Sequence, residues 1–341
     1  MKNNKSIFNI PARFEEHECT LITWPCIGDS EIDSFRKEIT IFIKSMAKYE
    51  KIILIVDPAD SLNAIEQCSE FAEIWIMPTD MSWIRDNGPI FTKKENDEIV
   101  AINFEFNGWG NKFYPYDKVK NIPSLIAKKL NIECIKSKLV LEGGGVSFDG
   151  EGTMITTEQM LLNPNRNSNF NKQQIESELD NLLGIKKVIW LKKGLVEDEG
   201  TDGHVDCVVE YVSSGKIIVQ TTNQTNNPNY ELLKINLEIL KNEKDANGKN
   251  FEIIEMPYLP YFPKKYKNQK FVSPYTNYYI ANKAIMVPEV DPSLDNLAFK
   301  IIEEVFPDRE VVPIPAFYQA IGGGGPGCIT QQVPISSNVK L

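Results

Sequence analysis

The chain has 341 residues, 42% hydrophobic and 25% charged, which is the ordinary composition of a globular protein with a large core. Its formal net charge of −10 argues against non-specific nucleic-acid binding and suits a cationic substrate as well as plain solubility. Residues 1–20 lack the apolar run of a signal peptide, and no stretch of about 20 apolar residues could span a bilayer. Six scattered cysteines without a C-x-x-C pair indicate reduced thiols and a cytoplasmic protein, with neither a disulfide framework nor a zinc site.

Apolar spacing predicts six amphipathic helices, at about 31–49, 60–71, 122–130, 172–184, 229–241 and 293–306. Cap or first-turn signals support several starts: Asp29-Ser30, Asp60-Ser61, Asn121 with Pro123, and Asp291-Pro292. A short apolar strand follows each of the last five helices, at 73–78, 132–142, 186–191, 251–257 and 310–315. After four of these strands come a polar or Gly-rich segment and a two-stranded hairpin, within 90–106, 146–161, 207–222 and 275–290.

These elements form five similar α/β units with slight sequence identity. The fifth unit ends with residues 328–334 and has no second hairpin strand of its own, but residues 19–25 near the start could supply one. Five units closed by an N-terminal strand predict a ring or propeller, built as a single domain over residues 1–341. An open doubly wound sheet is the alternative.

Four of the five units place an unusual polar residue between their first strand and their hairpin. These residues are Asp86 in SWIRDNGP, Glu142 in LEGGG, His204 and Asp206 in EGTDGHVD, and Cys328 in GGGGPGC. If the units surround an axis, the four segments meet at one end of it, as loops do in propellers and barrels. The sequence therefore predicts one site built from distant stretches of chain.

Each of these residues also has a structural explanation when it is taken alone. A cysteine is often an inert buried side chain, although the glycines before Cys328 allow close approach and offer N–H donors. Asp86 could form an ion pair with Arg85, and Glu142 could cap a turn. His204 is one of two histidines and lies between two aspartates in a Gly-containing loop, which makes it a good acid/base candidate.

Together, a thiol, a histidine and carboxylates make a nucleophilic site of the Cys/His kind. A metal site on TDGHVD is not expected, because further ligands at the right spacing are missing. A protease would need fewer carboxylates than this set holds. Paired carboxylates match the forked donors of a planar cation, namely a guanidinium.

Seven stretches extend this pattern along the chain: IPARFEEHECTLITWP, WIRDNGPIF, FNGWGNKF, LEGGGVSFDGEGTMITTEQMLLNPNRN, TDGHVD, PYTNYYIANKAIMVP and GGGGPGCITQQVP. In these stretches the sequence closely resembles the agmatine deiminase family, also described as peptidyl-arginine-deiminase-like, within the guanidino-modifying (pentein) superfamily. The resemblance runs nearly end to end and is specific when the stretches are taken together.

The resemblance implies a five-bladed α/β-propeller, in agreement with the five units, and hydrolysis of agmatine to N-carbamoylputrescine and ammonia without metal or cofactor. It implies Cys328 as the nucleophile and His204 as the general acid/base. Asp86 and Asp206 would bind the guanidinium, and Glu142 would partner the histidine.

Aromatic residues are predicted around the same substrate. Taken singly, Trp83, Trp109 and Phe113 fit the core or the rim of a fold. The resemblance makes Trp83 a wall beside the alkyl chain of the substrate, and we expect Trp109 and Gly324 also to contact the substrate.

Two departures from the family pattern affect the expected substrate. The family usually reads GGGNIHC before the cysteine, whereas Gly-Pro-Gly occupies 325–327 here. The family often has an arginine soon after its N-terminal Trp-Pro, whereas Cys26-Ile27 follow Trp24-Pro25 here. Because 325–327 is expected to line the pocket mouth, the first change predicts a reshaped pocket, with another amine or guanidine as the alternative to agmatine.

Other functions fit the same residues. An amidinotransferase would pass the amidino group to an amine instead of water, and a deiminase could act on arginine or peptidyl-arginine. A cysteine hydrolase of amides would need no guanidinium, and a non-catalytic pentein-fold binding protein would be expected to lack the Cys/His pair. The sequence leaves a homodimer open.

Overall fold

Strands and helices are interspersed along the part of the chain that the computed structural model describes, residues 7–26, 31–260 and 271–341. The strands are β1 (Phe8–Asn9), β2 (His17–Thr23), β3 (Ile52–Val56), β4 (Glu73–Ile76), β5 (Ile90–Lys94), β6 (Ile99–Glu105), β7 (Cys134–Val140), β8 (Val146–Phe148), β9 (Thr153–Thr157), β10 (Lys187–Leu191), β11 (Val209–Ser213), β12 (Lys216–Thr221), β13 (Glu252–Pro257), β14 (Tyr279–Ile280), β15 (Ala284–Glu289), β16 (Glu310–Pro315) and β17 (Thr330–Pro334). The helices are α1 (Ile32–Met46), α2 (Ser61–Cys68), α3 (Ile84–Asn87), α4 (Gly108–Asn111), α5 (Ile122–Leu130), α6 (Glu158–Leu161), α7 (Pro164–Asn167), α8 (Lys172–Leu183), α9 (Tyr230–Asn242), α10 (Asp295–Val305) and α11 (Phe317–Ile321). Short 3-10 helices lie at Pro58–Asp60, Val119–Asn121 and Gly143–Gly145.

The six predicted helices are confirmed as α1, α2, α5, α8, α9 and α10, and the five predicted strands as β4, β7, β10, β13 and β16. The four predicted hairpins are confirmed as antiparallel pairs, β5–β6, β8–β9, β11–β12 and β14–β15. Element ends differ from the predictions by a few residues, since an apolar pattern does not mark where backbone hydrogen bonding stops.

The predicted capping signals act differently in the structure. Asp60 and Asn121 precede their helices but form no side-chain cap, and Asp60 instead accepts a hydrogen bond from Arg36. The Asp291-Pro292 signal lies in the turn before α10. The Asp29-Ser30 signal lies outside the described residues.

The strands form five separate sheets of three or four strands each. Every sheet combines an antiparallel pair with a parallel edge: β5–β6 with β7, β8–β9 with β10, β11–β12 with β13, β14–β15 with β16, and β17–β2 with β3 and β4. This mixed α/β arrangement confirms five repeated units. The alternative of one open doubly wound sheet is wrong for the described residues, and none of the five sheets closes into a barrel.

The two ends of the chain meet in one sheet. Strand β2 pairs antiparallel with β17, with Ile22 opposite Thr330. The prediction that residues 19–25 supply the missing strand of the fifth unit is therefore confirmed.

Strand β3 was not predicted, and it lies between β2 and β4 in parallel register. All of its residues, IILIV, are buried. Ile53 and Ile55 belong to one hydrophobic cluster, and the alternate residues belong to a second cluster that also holds the apolar face of α1. A continuous apolar run is typical of a strand that is covered on both faces.

Each sheet is joined to the next by a segment that leads from its edge strand to the following hairpin. These segments are residues 77–89, 141–145, 192–208, 258–278 and 316–329, of which 261–270 are not described. Four of these five connecting segments hold the polar residues singled out in the sequence.

No helix in the described part of the chain is long and apolar enough to cross a membrane.

Candidate active site

Four of the five connecting segments, together with the turn around α4, line one cavity of about 140 Å³. Its ionisable lining residues are Asp86, Glu197, Asp198, His204, Asp206, Cys207 and Cys328, and its aromatic ones are Trp83, Trp109 and Phe113. The fifth segment, 141–145, lies behind His204 and contributes Glu142. The predicted meeting of these segments is therefore confirmed.

Cys328 is held by its backbone on several sides. Its N–H donates to the Gly325 carbonyl at 3.0 Å and to Asn277 Oδ1 at 3.1 Å, and its carbonyl accepts from the Arg85 N–H at 3.2 Å. The thiol Sγ lies 3.4 Å from Asp206 Oδ2, within reach of a hydrogen bond. The thiol is therefore fixed in direction, toward the carboxylate.

Glycine is required where the chain passes the thiol. A Cβ at Gly324 would lie 2.8 Å from the Trp83 ring and 2.9 Å from Cys328 Sγ, and a Cβ at Gly322 would lie 2.9 Å from the same ring. Real Cβ atoms do not approach neighbours so closely. The glycine run before the cysteine thus lets the backbone and an aromatic ring crowd the thiol, as the sequence predicted.

His204 lies between two carboxylates. Its Nε2 is 3.6 Å from Glu142 Oε2, and its Nδ1 is 3.9 Å from Asp86 Oδ1. The backbone N–H of His204 donates to Asp198 Oδ2 at 2.8 Å, which anchors the loop that carries the ring. Glu142 is itself held by Arg166, whose Nε donates to Glu142 Oε1 at 2.8 Å. The imidazole therefore has a fixed orientation, with Nδ1 toward the cavity carboxylates.

Asp86 lies in the single turn of α3 and has a donor at each oxygen. The Gly144 N–H donates to Oδ1 at 2.8 Å, and Trp109 Nε1 donates to Oδ2 at 3.0 Å. Each carboxylate oxygen has two lone pairs, so both oxygens can still accept from a planar cation.

Gly144 is the point at which these groups converge. A Cβ there would lie 2.6 Å from His204 Nδ1, 2.7 Å from Asp206 Oδ2 and 2.8 Å from Asp86 Oδ1. Only glycine leaves room for an imidazole and two carboxylates around one α-carbon.

Burial and neighbouring charges shift the pKa values of these groups. Burial disfavours the imidazolium of His204, but Asp86, Glu142 and Asp206 outweigh this effect and raise its pKa from 6.5 to about 9. Protonated His204 therefore stabilises the fold below pH 6.5, and this contribution is lost as the pH rises through about 9. Burial raises the pKa of Asp86 to about 6, against the opposing effect of His204.

The same causes keep Cys328 protonated. Burial, together with the charges of Asp206 and Asp86, raises the pKa of its thiol well above the usual value. Burial also opposes ionisation of Glu142, but the neighbouring imidazolium of His204 and the charge of Arg166 lower its pKa overall. At neutral pH the site therefore holds a thiol, an imidazolium and an ionised Glu142.

This arrangement can bind a planar cation and attack it. Asp86 and Asp206 present carboxylate oxygens near the thiol, and His204 stands ready as an acid. A cation held by the two carboxylates would offset the charges that keep the thiol protonated. The site thus combines recognition of positive charge with activation of a nucleophile.

The structure brings together all five residues predicted to do chemistry: Asp86, Glu142, His204, Asp206 and Cys328. Trp83 and Trp109 line the cavity as expected, and Phe113 does too. Gly324 contacts Trp83 and the thiol but is not among the lining residues. Asp202 flanks His204 in sequence only, and its carboxylate pairs with Lys112 and Arg166.

Sequence reasoning missed several contributors. No site residue was predicted in 258–278, yet this segment supplies Asn277 at the cysteine backbone and Val272 at the cavity wall. Arg166, behind Glu142, lies in the NPNRN stretch, which was noted only as part of the resemblance. An uncharged amide and a remote arginine have no local pattern that distinguishes them from ordinary loop residues.

The prediction that 325–327 lines the pocket mouth is wrong. Gly322 and Gly323 line the cavity instead. A Cβ at Gly325 would lie 2.8 Å from the Asn277 carbonyl, and one at Gly327 would lie 2.9 Å from Asn277 Oδ1. The Gly-Pro-Gly segment therefore packs against Asn277, away from the cavity. Replacing the Asn-Ile-His of the family by Gly-Pro-Gly does not enlarge the pocket.

The second departure is also remote from the cavity as described. Cys26 is buried and is not among the lining residues, and Ile27 lies outside the described residues.

No group of three or more His, Cys, Asp or Glu side chains in the described ranges could hold a metal ion.

The fold and the site define a mixed α/β protein with a buried Cys–His–carboxylate centre. The chain belongs to the Porphyromonas-type peptidyl-arginine deiminase family, whose sequence model matches residues 9–334. It is 35% identical over 338 residues to the Legionella pneumophila (strain Paris) protein named "Putative agmatine deiminase", covering 96% of each chain. The resemblance found in the motifs is therefore confirmed.

Two solved structures are similar along nearly the whole chain. The agmatine deiminase of Enterococcus faecalis has a TM-score of 0.91 and 26% identity, covering 96% of each chain. A cysteine-to-serine variant of C. jejuni agmatine deiminase with substrate bound has a TM-score of 0.86 and 26% identity, covering 96% of this chain and 97% of that one.

We predict that the His204 imidazole is protonated at neutral pH and titrates near pH 9, because three carboxylates surround it. Nitrogen NMR of the histidine rings measures this directly, since the chain has only two histidines. The ring signals that disappear in the His204→Asn variant belong to His204, and those that remain belong to the other histidine, His17. A His204 midpoint below pH 7 would contradict the electrostatics described above.

Proposed function

We propose that the protein is a hydrolase of amidine C–N bonds that converts agmatine and water to N-carbamoylputrescine and ammonia through a covalent intermediate on Cys328. The observation that supports this most is the convergence of Asp86, His204 and Asp206 around Gly144 beside the buried thiol. Membership of the deiminase family and similarity to agmatine deiminases support the same reaction.

The cavity fits a guanidinium joined to an alkylamine. Asp86 and Asp206 would clamp the guanidinium with its carbon facing Cys328 Sγ. Trp83 and Phe113 would enclose the alkyl chain. Glu197 lines the same cavity half-buried, with Oε2 accepting from Asn229 Nδ2 at 2.7 Å, and would attract the distal ammonium.

The first half of the reaction uses His204 as an acid. The bound cation offsets the charges of Asp86 and Asp206, so that the Cys328 thiol releases its proton to solvent and the resulting thiolate sulfur adds to the guanidinium carbon. Imidazolium His204 then protonates the departing nitrogen, which leaves as ammonia. Its Nδ1 is the atom placed for this step, because Nε2 faces Glu142.

The second half uses the same histidine as a base. Cys328 now carries an S-alkylthiouronium. Neutral His204 removes a proton from water, which attacks the thiouronium carbon, and the sulfur leaves as the ureido product forms. One imidazole thus alternates between acid and base, and Glu142 holds it in place.

The whole chain would act as one catalytic domain with the arrangement of a five-bladed α/β-propeller. Five sheets of the same strand pattern, and the pairing of β2 with β17, support this architecture. The family match over 9–334 supports a single unit. None of the six cysteines forms a disulfide, which favours the reducing cytoplasm.

A panel of guanidines tests the substrate. Agmatine, arginine, a peptidyl-arginine and methylated arginines are assayed for ammonia and ureide, with and without an amine acceptor. We expect agmatine to lead in kcat/KM, since 325–327 does not reshape the cavity. Another guanidine in the lead would overturn the substrate, and transfer to the added amine would make the protein an amidinotransferase.

Cys328→Ala should abolish turnover while leaving the fold intact, because the thiol is the proposed nucleophile. Cys134→Ala is the matched control, since Cys134 is half-buried in β7 and outside the cavity. Mass spectrometry of wild type quenched with substrate should find the adduct on Cys328. Activity of Cys328→Ala within tenfold of wild type would refute the mechanism.

Asp86→Asn and Asp206→Asn should each lose most activity on agmatine. Each change removes a charged acceptor from a buried cation, at a cost of about 2–5 kcal/mol, or roughly 30-fold to several-thousand-fold in kcat/KM. Steady-state kinetics measure the loss. If either variant stays within a factor of five of wild type, that carboxylate does not bind the guanidinium.

Glu197→Gln should raise KM for agmatine but not for butylguanidine, which has the same guanidinium and no distal ammonium. The expected effect on agmatine is about tenfold, the size of one partly exposed charge-assisted contact. An equal effect on both compounds would show that Glu197 supports the cavity wall and does not bind the ammonium.

A further inference from the structure

A continuous chain of ion pairs leads from the surface to the catalytic histidine. Lys112 Nζ lies 2.6 Å from Asp202 Oδ1, and Arg166 Nη1 lies 2.6 Å from Asp202 Oδ2. Arg166 Nε donates to Glu142 Oε1 at 2.8 Å, and Glu142 Oε2 lies 3.6 Å from His204 Nε2. The charges alternate at every step. The side chains of Arg166 and Glu142 are 0% exposed, that of Asp202 is 17% exposed and that of Lys112 is 30% exposed.

The outer members of this ion-pair chain, Lys112 and Asp202, lie in two loops that line the cavity, the turn 107–113 and the segment 192–208. Lys112 follows the turn that carries Trp109, and its Nζ also donates to the carbonyl oxygen of Glu199. Asp202 lies in the segment that carries His204. The ammonium therefore ties the aromatic turn to the histidine segment directly.

The aromatic turn also rests on Arg166. A Cβ at Gly110 would lie 2.5 Å from Arg166 Nη1 and 2.4 Å from Asn165 Nδ2, and Asn107 Nδ2 donates to the Asn165 carbonyl at 2.8 Å. Asn165 Nδ2 in turn donates to Asp202 Oδ2 at 2.9 Å. The guanidinium is thus enclosed between the turn, Asp202 and Glu142.

We propose that Lys112, Asp202 and Arg166 are positioning residues for the deimination reaction, forming an ion-pair chain that holds Glu142 against His204 and couples the catalytic imidazole to the two cavity-lining loops, 107–113 and 192–208. This role rests on the proposed function, in which His204 is the acid and base. Arg166 is shared between Asp202 and Glu142, so the partner it favours decides how much Glu142 charge acts on His204.

Several ionisable groups face His204, and they limit how far the ion-pair chain can shift its titration. They are Asp86 from α3, Glu142 from 141–145, Cys328 before β17, and Asp198 and Asp206 from its own segment. Neither Lys112 nor Asp202 touches the imidazole. Any effect of these two residues on the His204 pKa must therefore be transmitted by Arg166 and Glu142 or act through space as an electrostatic field.

The ion-pair chain predicts opposite effects on His204 for substitutions at its two outer members, Asp202 and Lys112. Asp202→Asn removes a negative charge and leaves Glu142 as the one ion-pair partner of Arg166, which keeps its hydrogen bonds to Asn165 and Thr201. The His204 titration midpoint should therefore fall by about 0.5 pH unit. Lys112→Met removes a positive charge and draws Arg166 toward Asp202, so the midpoint should rise, by a smaller amount because Lys112 is partly exposed.

The measurement is nitrogen NMR of the two histidine rings in a Cys328→Ala background, which removes the titration of the thiol. Lys186→Met and Asp180→Asn are matched controls, because they break an exposed ion pair of the same kind. These controls should not move the midpoint. Lys112→Arg keeps the charge and should restore the midpoint of the parent.

Kinetics complete the test in proteins that retain Cys328. Asp202→Asn should lower kcat for agmatine more than it raises KM, since Glu142 and His204 act in the chemical steps. Shifts of the same sign for Lys112→Met and Asp202→Asn, or no shift beyond the controls, would overturn the ion-pair chain. Failure of wild type to release ammonia from agmatine would instead overturn the proposed function, while leaving the titration result to stand.

Discussion

The site depends on the confinement of opposite charges around one α-carbon. Asp86, Asp206 and His204 all lie within about van der Waals contact of Gly144, and any side chain there would separate them. Buried carboxylates are costly unless they are paired. The imidazolium of His204 and the hydrogen bonds from Trp109 and Gly144 offset part of this unfavourable free energy. The remaining negative charge of the two aspartates is available to bind a cation.

This constraint explains why the thiol of Cys328, the proposed nucleophile, is protonated at rest. The carboxylates that would bind a guanidinium also raise the pKa of the Cys328 thiol. In the proposed reaction, a cation in the cavity would neutralise the charge that suppresses the thiolate, so that activation and recognition would be one electrostatic event. A free thiolate would be exposed to oxidation, whereas a buried thiol with a raised pKa is protected from it.

Much of this could be predicted from the sequence, because the patterns were local or recurrent. Helix spacing, hairpin turns and the recurrence of polar residues after edge strands identified five units, and they identified Asp86, Glu142, His204, Asp206 and Cys328. Strand β3 was missed because an unbroken apolar run has no alternation. Asn277 and Arg166 were missed because their importance arises from contacts made only after folding. The place of 325–327 was predicted wrongly, because nearness to Cys328 in sequence does not decide which way the backbone turns.

The pairing of β2 with β17 has a consequence for synthesis of the protein. Cys328 lies two residues before β17, and β17 pairs with a strand more than 300 positions earlier in the chain. Contacts of such sequence separation carry a large loop-closure entropy and form slowly. A ribosome-bound or C-terminally clipped chain therefore contains the histidine and the acidic residues without a positioned thiol. In the proposed mechanism turnover needs the positioned thiol, so the appearance of turnover during refolding would report the pairing of β2 with β17.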